Sequence, residues 1–435
     1  MDLREIGLAL AGTLSRDRFY SYYKELDRNQ WLSGDALTRL QLAKLRRLIT
    51  HAATNIPFYK KRFADFDINA VRSPDDIKLL PVLTKSELAE AGEDAVVRGG
   101  QRLVSRSTSG TSGAPFRFVV SRDFFSFGIA RHLRIFDLPG LRIGDPWVFC
   151  TPLRYKTNPV YSFLTNRLVL DANQITRERT PPCCPASPGN RLEPDEVTIR
   201  RFCKQIKSHK PGAIFSYPST LIALATFIRK WRVPDIKIRT IISSGEVLPH
   251  GTRKFCEETF EGEVYNLYGT TEFPSIAQEC GEHKGLHIFS DSYLVECLDD
   301  GAIVITDLDN YTMPFIRFKI GDHGFLKGEQ CRCGRALPLM EITQGRISDL
   351  LITRDGRFLR RSFFAAVLEK NREIRKFEIT QDQRREITIS ILLAKPLSDA
   401  RRQFLMKRFN EYAGGSIAIK LQPAAGKVTV SEATK

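Results

Sequence analysis

Three short, largely apolar runs, at residues 147–150, 213–215 and 240–242, constrain this chain more than any other feature. Each is too short for a helix and too continuous for a half-exposed strand, so each reads as a buried strand. Stretches of helical period, such as 221–231, separate them. Alternating strands and helices specify an α/β domain. At 435 residues the chain is too long for one ordinary core and short for three, so a large domain with a smaller companion is expected.

A helical layer over residues 1–100 precedes the strands. From an N-cap at Ser33 or Asp35, the residues Leu37, Leu40, Leu45, Leu48 and Ile49 follow helical spacing, with Lys44, Arg46 and Arg47 on the opposite face and an end before Pro57. Residues 73–83 read as a loop and a buried segment, and Thr84 with Glu87 caps a further helix. Five prolines in 177–194 argue against regular structure there and for a surface loop or lid. The last ~85 residues change character. Residues 376–380 and 386–393 alternate like paired strands, 398–412 is helical and 417–421 is strand-like, which is the order of a small α+β domain. The boundary falls at 345–349, giving a large domain over 1–347 and a small one over 348–435.

Hydrophobic residues make up 42% and charged residues 27%, as in soluble globular proteins. No apolar run approaches a membrane helix, and residues 6–14 are too short and too quickly followed by Arg16, Asp17 and Arg18 to act as a signal. Nine cysteines without a regular framework argue against a secreted disulfide scaffold, leaving the cytoplasm as the default. The balance of 66 Lys and Arg against 50 Asp and Glu, +16, suits an anionic partner. The cations are spread along the chain without aromatic interleaving, so a nucleic-acid surface is not expected.

Chemistry concentrates in five short motifs and one cysteine–histidine group. Ser107, Thr108, Ser109, Gly110, Thr111, Ser112 and Gly113 precede a strand-like run, and such hydroxyls and glycines let a loop approach a polyphosphate. The loop lacks the Gly-Lys-Ser/Thr ending of a Walker motif. Ser243-Ser244-Gly245-Glu246 and Tyr268-Gly269-Thr270-Thr271-Glu272 each follow an apolar strand, and 315–322 and 345–349 come after them in order. Separately, Cys280, Cys331 and Cys333 with His287, or with His283 as the alternative, offer enough soft ligands for a four-coordinate zinc. The same cysteines also suit a plain buried role.

In order and spacing these motifs resemble the acyl-adenylate-forming superfamily of acyl-CoA synthetases, luciferases and nonribosomal adenylation domains. The branch most resembled is that of phenylacetate-coenzyme A ligase and its capsule-biosynthesis homologues, on the strength of Asn55-Ile56-Pro57-Phe58-Tyr59, residues 80–85, Gly285-Leu286-His287-Ile288 and Cys331-Arg332-Cys333-Gly334-Arg335. The resemblance spans essentially the whole chain. It implies a large N-terminal α/β adenylate-forming domain with a small mobile α+β C-terminal domain. By position it implies that the loop Ser107 to Gly113 holds the ATP β- and γ-phosphates, although Ala114 stands where many relatives carry Lys. Ser244, Gly245 and Glu246 would line the adenine pocket, Tyr268 would stack on the base, Gly269 and Thr270 would belong to the ATP site, and Thr271 would touch the α-phosphate. Glu272 would bind Mg²⁺, Asp322 the ribose hydroxyls, and Arg346 the ribose or phosphate. Asp349 would be the hinge of the small domain, and Lys427 the cation that meets the carboxylate and α-phosphate.

The expected reaction is activation of a carboxylic acid, with an aryl or arylacetic acid as the first guess, followed by transfer to coenzyme A. Two alternatives stand beside it. The acyl group could pass to an amine, a sugar or a carrier protein, or AMP itself could be transferred. A non-catalytic nucleotide-binding homologue is the other. The expected partners are therefore the acid, ATP with Mg²⁺, and coenzyme A or another acceptor, with a homodimer allowed and no nucleic acid.

Overall fold

The computed structural model describes residues 18–99, 103–107, 116–142, 144–152, 159–178, 192–194, 196–248, 250–344, 350–352, 358–360, 364, 367–368, 371, 373–381, 386–393, 395–413 and 419–423. The chain divides into two compact units, residues 1–170 with 204–346, and residues 171–203 with 347–435.

The first unit is organised by an eleven-stranded sheet. Four strands run parallel in the order Trp147–Thr151, Ala213–Ser216, Thr240–Ser244 and Glu263–Tyr268. Three of them are the apolar runs read from the sequence. The sheet continues antiparallel through Ala277–Gln278, Leu286–Ile288, Leu339–Gln344, Phe318–Lys327, Ala302–Asp307 and Tyr293–Cys297. It is therefore mixed, with the α/β pattern confined to its parallel end. Between parallel strands the helix Pro218–Lys230 starts with Pro at N1, where the ring's fixed φ suits a first turn and no hydrogen-bond donor is lost.

The helix Gly34–Asn55 begins at Ser33, whose side chain accepts from the Ala36 amide, so of the two expected caps Ser33 is the one used. Leu37, Leu45, Leu48 and Ile49 are buried as the spacing requires. Lys44 is not on the solvent face as expected. It is 7% exposed, and its ammonium donates to the Asp291 carbonyl and to Asp309, both at 2.8 Å. Helical period assigns faces by polarity alone, and a buried partner elsewhere in the chain overrides it. Residues 73–83 contain a 3₁₀ helix, Pro74–Leu79, and Thr84 and Glu87 form a capping box.

In the second unit Ile374–Gln381 pairs antiparallel with Ile387–Leu393, Ile419–Pro423 adds to the latter in parallel, and the helix Asp399–Ala413 buries Leu405, Phe409 and Ala413 in their core. The proline-rich stretch has more order at its ends than expected, since Thr176–Glu178 pairs with Leu192–Pro194. Among the described residues no helix is long and apolar enough to cross a membrane.

Candidate active site and metal centre

In open α/β sheets ligands bind beyond the carboxyl ends of the parallel strands. Here those ends carry Ser244-Gly245-Glu246 and Tyr268-Gly269-Thr270-Thr271-Glu272. Gly245 has φ +81°, and a Cβ there would lie 2.7 Å from the ring of Tyr217. Only glycine lets the backbone pass that ring. Gly269 is equally constrained, because a Cβ would meet the Pro274 carbonyl oxygen at 2.4 Å. The turn after it closes on itself: the Thr270 amide donates to Phe273 O at 2.8 Å, and the Phe273 amide donates to Thr270 Oγ1 at 3.2 Å. This turn sets half-buried Thr271 beside buried Glu272.

Across the sheet the Tyr268 hydroxyl donates to Asp322 Oδ2 at 2.8 Å. The bond joins two motifs 54 residues apart and fixes the phenol ring relative to a carboxylate that is 8% exposed. Asp322 follows Gly321, whose φ of +90° favours glycine, on the strand Phe318–Lys327. Arg317, at the head of that strand, missed any role in the sequence reading. Its guanidinium pairs with buried Glu296 at 2.8 Å and donates to the carbonyls of Lys78 and Leu80. Backbone bonds between Leu83 and both Arg317 and Lys319 complete the attachment. The strand bearing Asp322 is thereby tied to the N-terminal layer.

Glu246 has a structural partner: its carboxylate accepts from the Ser219 amide at 2.9 Å and the Ser219 hydroxyl at 2.8 Å, at the start of the helix Pro218–Lys230. Ser107 ends the strand Leu103–Ser107, paired with Arg117–Ser121, and directly precedes the hydroxyl-rich run in the sequence. Thr108 to Gly113, Arg346, Asp349 and Lys427 lie outside the described residues.

A second cluster is fully described. Cys280, His287, Cys331 and Cys333 present ligand atoms that all lie within 4.8 Å of one another. The Cys280 and Cys331 sulfurs are 3.6 Å apart, and Cys333 Sγ is 3.4 Å from His287 Nε2. Zn–S bonds of about 2.3 Å in a tetrahedron require edges of this length. His287 Nδ1 lies 3.2 Å from the Leu337 carbonyl, which favours the tautomer that leaves Nε2 as a ligand. His283, the alternative, is not part of the group and pairs instead with Glu279 at 3.3 Å.

An aromatic group occupies one face of the parallel strands. Phe149 and Phe215 stack at 5.3 Å, and His132, on the helix Arg122–Arg134, stands edge-on to Phe215 at 5.2 Å. Burial and the nearby Arg167 guanidinium hold the His132 imidazole down at about 4, so it is neutral at physiological pH. Phe149 and Phe215 lie in two of the apolar runs read from the sequence, whereas nothing there marked His132, whose place depends on how its helix packs.

No protein-family model matches the chain. It is similar to the phenylacetate-coenzyme A ligase of Thermus thermophilus, with 26% identity over 74% of this chain and 73% of that one. It is also similar to Protein CapK of Staphylococcus aureus, with 19% identity over 71% of this chain and 67% of that one. Among solved structures, that of 2-hydroxyisobutyryl-CoA ligase with 2-HIB-AMP and CoA shares the fold at a TM-score of 0.63, covering 93% of this chain and 90% of that one at 19% identity.

Proposed function

We propose that this chain, a relative of the phenylacetate-coenzyme A ligases with the fold of the adenylate-forming ligases, activates a carboxylic acid with ATP as its acyl-adenylate and passes the acyl group to coenzyme A. The observation that carries this reading is the Tyr268–Asp322 bond beside the carboxyl ends of the parallel strands. It holds one aromatic face and one carboxylate together, which suits a base and the ribose attached to it.

In the first half-reaction an oxygen of the acid's carboxylate attacks the α-phosphorus, the bond to the bridging oxygen breaks, and pyrophosphate leaves. In the second, the thiolate sulfur of coenzyme A attacks the carbonyl carbon of the mixed anhydride, the C–O bond to phosphate breaks, and AMP leaves. Neither step needs a nucleophile from the protein; positioning and charge stabilisation suffice. Tyr268 would stack on adenine, Ser244, Gly245 and Glu246 would line its pocket, Asp322 would accept from the ribose hydroxyls, Gly269 and Thr270 would belong to the ATP site, and Thr271 would touch the α-phosphate. Buried Glu272 fits Mg²⁺, which is usually held by one or two carboxylates together with substrate phosphates and supplies neutralisation of their charge. The loop Ser107 to Gly113, Arg346, the hinge Asp349 and the cation Lys427 complete the proposal.

Charge favours coenzyme A as acceptor. Residues 347–435 hold 18 Lys and Arg against 10 Asp and Glu, a surplus of +8 in a fifth of the chain, and coenzyme A carries several phosphate charges. The seven described cysteines are all free thiols, which agrees with the cytoplasm. For Cys280, His287, Cys331 and Cys333 we propose a structural zinc: three soft thiolates and one imidazole, with no ligand position left for chemistry, match that ion's preference.

The test is exchange of labelled pyrophosphate into ATP with a panel of aryl and arylacetic acids, followed by assay of the thioester. Wild type should exchange with at least one acid. Glu272→Gln, a poorer ligand for a hard cation, should lower the rate by about 100-fold or more. ATP binding without exchange for any acid would instead support a non-catalytic homologue, and exchange without thioester would move the acceptor to an amine, a sugar or a carrier protein.

A further inference from the structure

One guanidinium beside the aromatic group has no ion-pair partner among the described residues. Arg167 begins the edge strand Arg167–Asp171, and the Trp147 amide bonds to Asn166 O beside it, so it starts level with the strand Trp147–Thr151. Its guanidinium lies over three aromatic rings, Tyr161 at 4.8 Å, Phe149 at 5.4 Å and Trp147 at 5.7 Å. Its hydrogen bond goes to the neutral Ser162 hydroxyl at 2.9 Å, and Nε is sealed from solvent with no acceptor among the described residues. No carboxylate among the described residues forms an ion pair with it. Contrast Arg131 and Arg134, more deeply buried on the neighbouring helix, which pair with Asp307 at 2.9 Å and Asp291 at 2.6 Å.

Aromatic faces attract a cation but repay only part of what its burial costs. The shortfall shows in the group itself, because burial pulls the Arg167 guanidinium below its usual range. His132 is neutral and so adds no competing positive charge beside Arg167. A half-buried cation framed by aromatic rings, with no carboxylate partner among the described residues, suits an anion on a flat, apolar body.

Its depth fits such a ligand. Arg167 reaches the ring of Phe149, which sits two residues before the carboxyl end of its strand at Thr151. At about 3.3 Å per residue, that is about 7 Å from the strand ends, roughly the length of one aromatic ring with a short linker. Phe149, Phe215 and Ser244 lie on the same sheet face, because Phe149 pairs in register with Phe215, and Phe215 with Ile242, two residues from Ser244.

We infer that Arg167 is a specificity-determining residue that reads a second carboxylate on the substrate, so that the acid activated is an aromatic dicarboxylate with its acidic groups at opposite ends. This rests on the acid-activating reading above. One carboxylate would stand at the strand ends for adenylation while the other meets Arg167 and the ring lies among Phe149, Phe215 and His132.

The experiment compares pyrophosphate exchange and calorimetric binding for phenylacetate and 4-carboxyphenylacetate, in wild type, Arg167→Gln and Arg167→Lys, with thermal melts confirming that each variant is folded. Wild type should prefer the diacid in kcat/KM. Arg167→Gln should lower the ratio of diacid to monoacid by about 100-fold, the scale for stranding one partner of a buried charge pair. Arg167→Lys, which keeps the charge but not the planar fork, should retain most of the preference. Wild type that exchanges with phenylacetate and ignores or rejects the diacid overturns this inference while leaving adenylation intact. Failure of both acids and of every other acid to support exchange overturns both readings.

Discussion

Tyr268 and Asp322 show how a residue acquires meaning from its neighbour. Apart, they are a tyrosine after a strand and an aspartate after a glycine; joined at 2.8 Å, the phenol is fixed in orientation by a carboxylate that can also receive sugar hydroxyls. Their effects on ATP should therefore not add. Tyr268→Phe and Asp322→Asn should each weaken ATP binding by roughly 1–3 kcal/mol, with the double variant losing less than their sum by about 0.5–2 kcal/mol, measured by calorimetry. Simple additivity would mean that the two groups contact the nucleotide independently. At this scale the sequence was legible where backbone chemistry is peculiar. Gly245 and Gly269 sit in marked motifs because a side chain would strike Tyr217 or Pro274. It was illegible where partners are remote: nothing near Lys44 announces Asp309, 265 residues away.

At the scale of elements, strands buried by hydrophobic runs were legible almost to the residue, and so were helices with a capping signal such as Thr84 and Glu87. What anchors one element to another was not, because buried ion pairs such as Arg317 with Glu296 follow no sequence period. The helix Phe19–Asn29 illustrates a consequence for stability. Its Tyr23 donates to Asp137 Oδ1 at 2.8 Å, while Oδ2 is buried with no hydrogen-bond partner among the described residues. Burial, aided by Asp27 and opposed by the Tyr23 bond and the guanidinium groups of Arg134 and Arg335, pushes the Asp137 carboxyl up to about 7. The folded protein thus holds a proton that the unfolded chain releases near pH 4. This contribution to stability is complete below pH 4, declines as pH rises to about 7, and is level above. Denaturant melts between pH 5 and 8 should show a loss of roughly 2–3 kcal/mol in wild type that Asp137→Asn removes. An identical slope in the variant would assign the pH dependence to other groups.

At the scale of the whole molecule, cysteines far apart in sequence converge where strands meet, and loose spacing gave way to four ligand atoms within 4.8 Å. Protein prepared without chelator should carry about one equivalent of zinc, lost together with much of its thermal stability when Cys331 and Cys333 are both changed to Ser. Metal analysis returning none would leave these cysteines as buried apolar groups. The large order of the chain, strands alternating with helices and then a small α+β unit, was legible because composition changes along it. The mixed character of the sheet was not, since pairing direction in the antiparallel half depends on contacts that no local pattern encodes. In the proposed adenylation a carboxylate oxygen attacks the α-phosphorus of ATP, and that oxygen can be followed. With an acid substrate labelled in its carboxylate with ¹⁸O, one labelled oxygen should appear in AMP for each thioester formed. Label in inorganic phosphate or pyrophosphate, or AMP without label, would contradict the account.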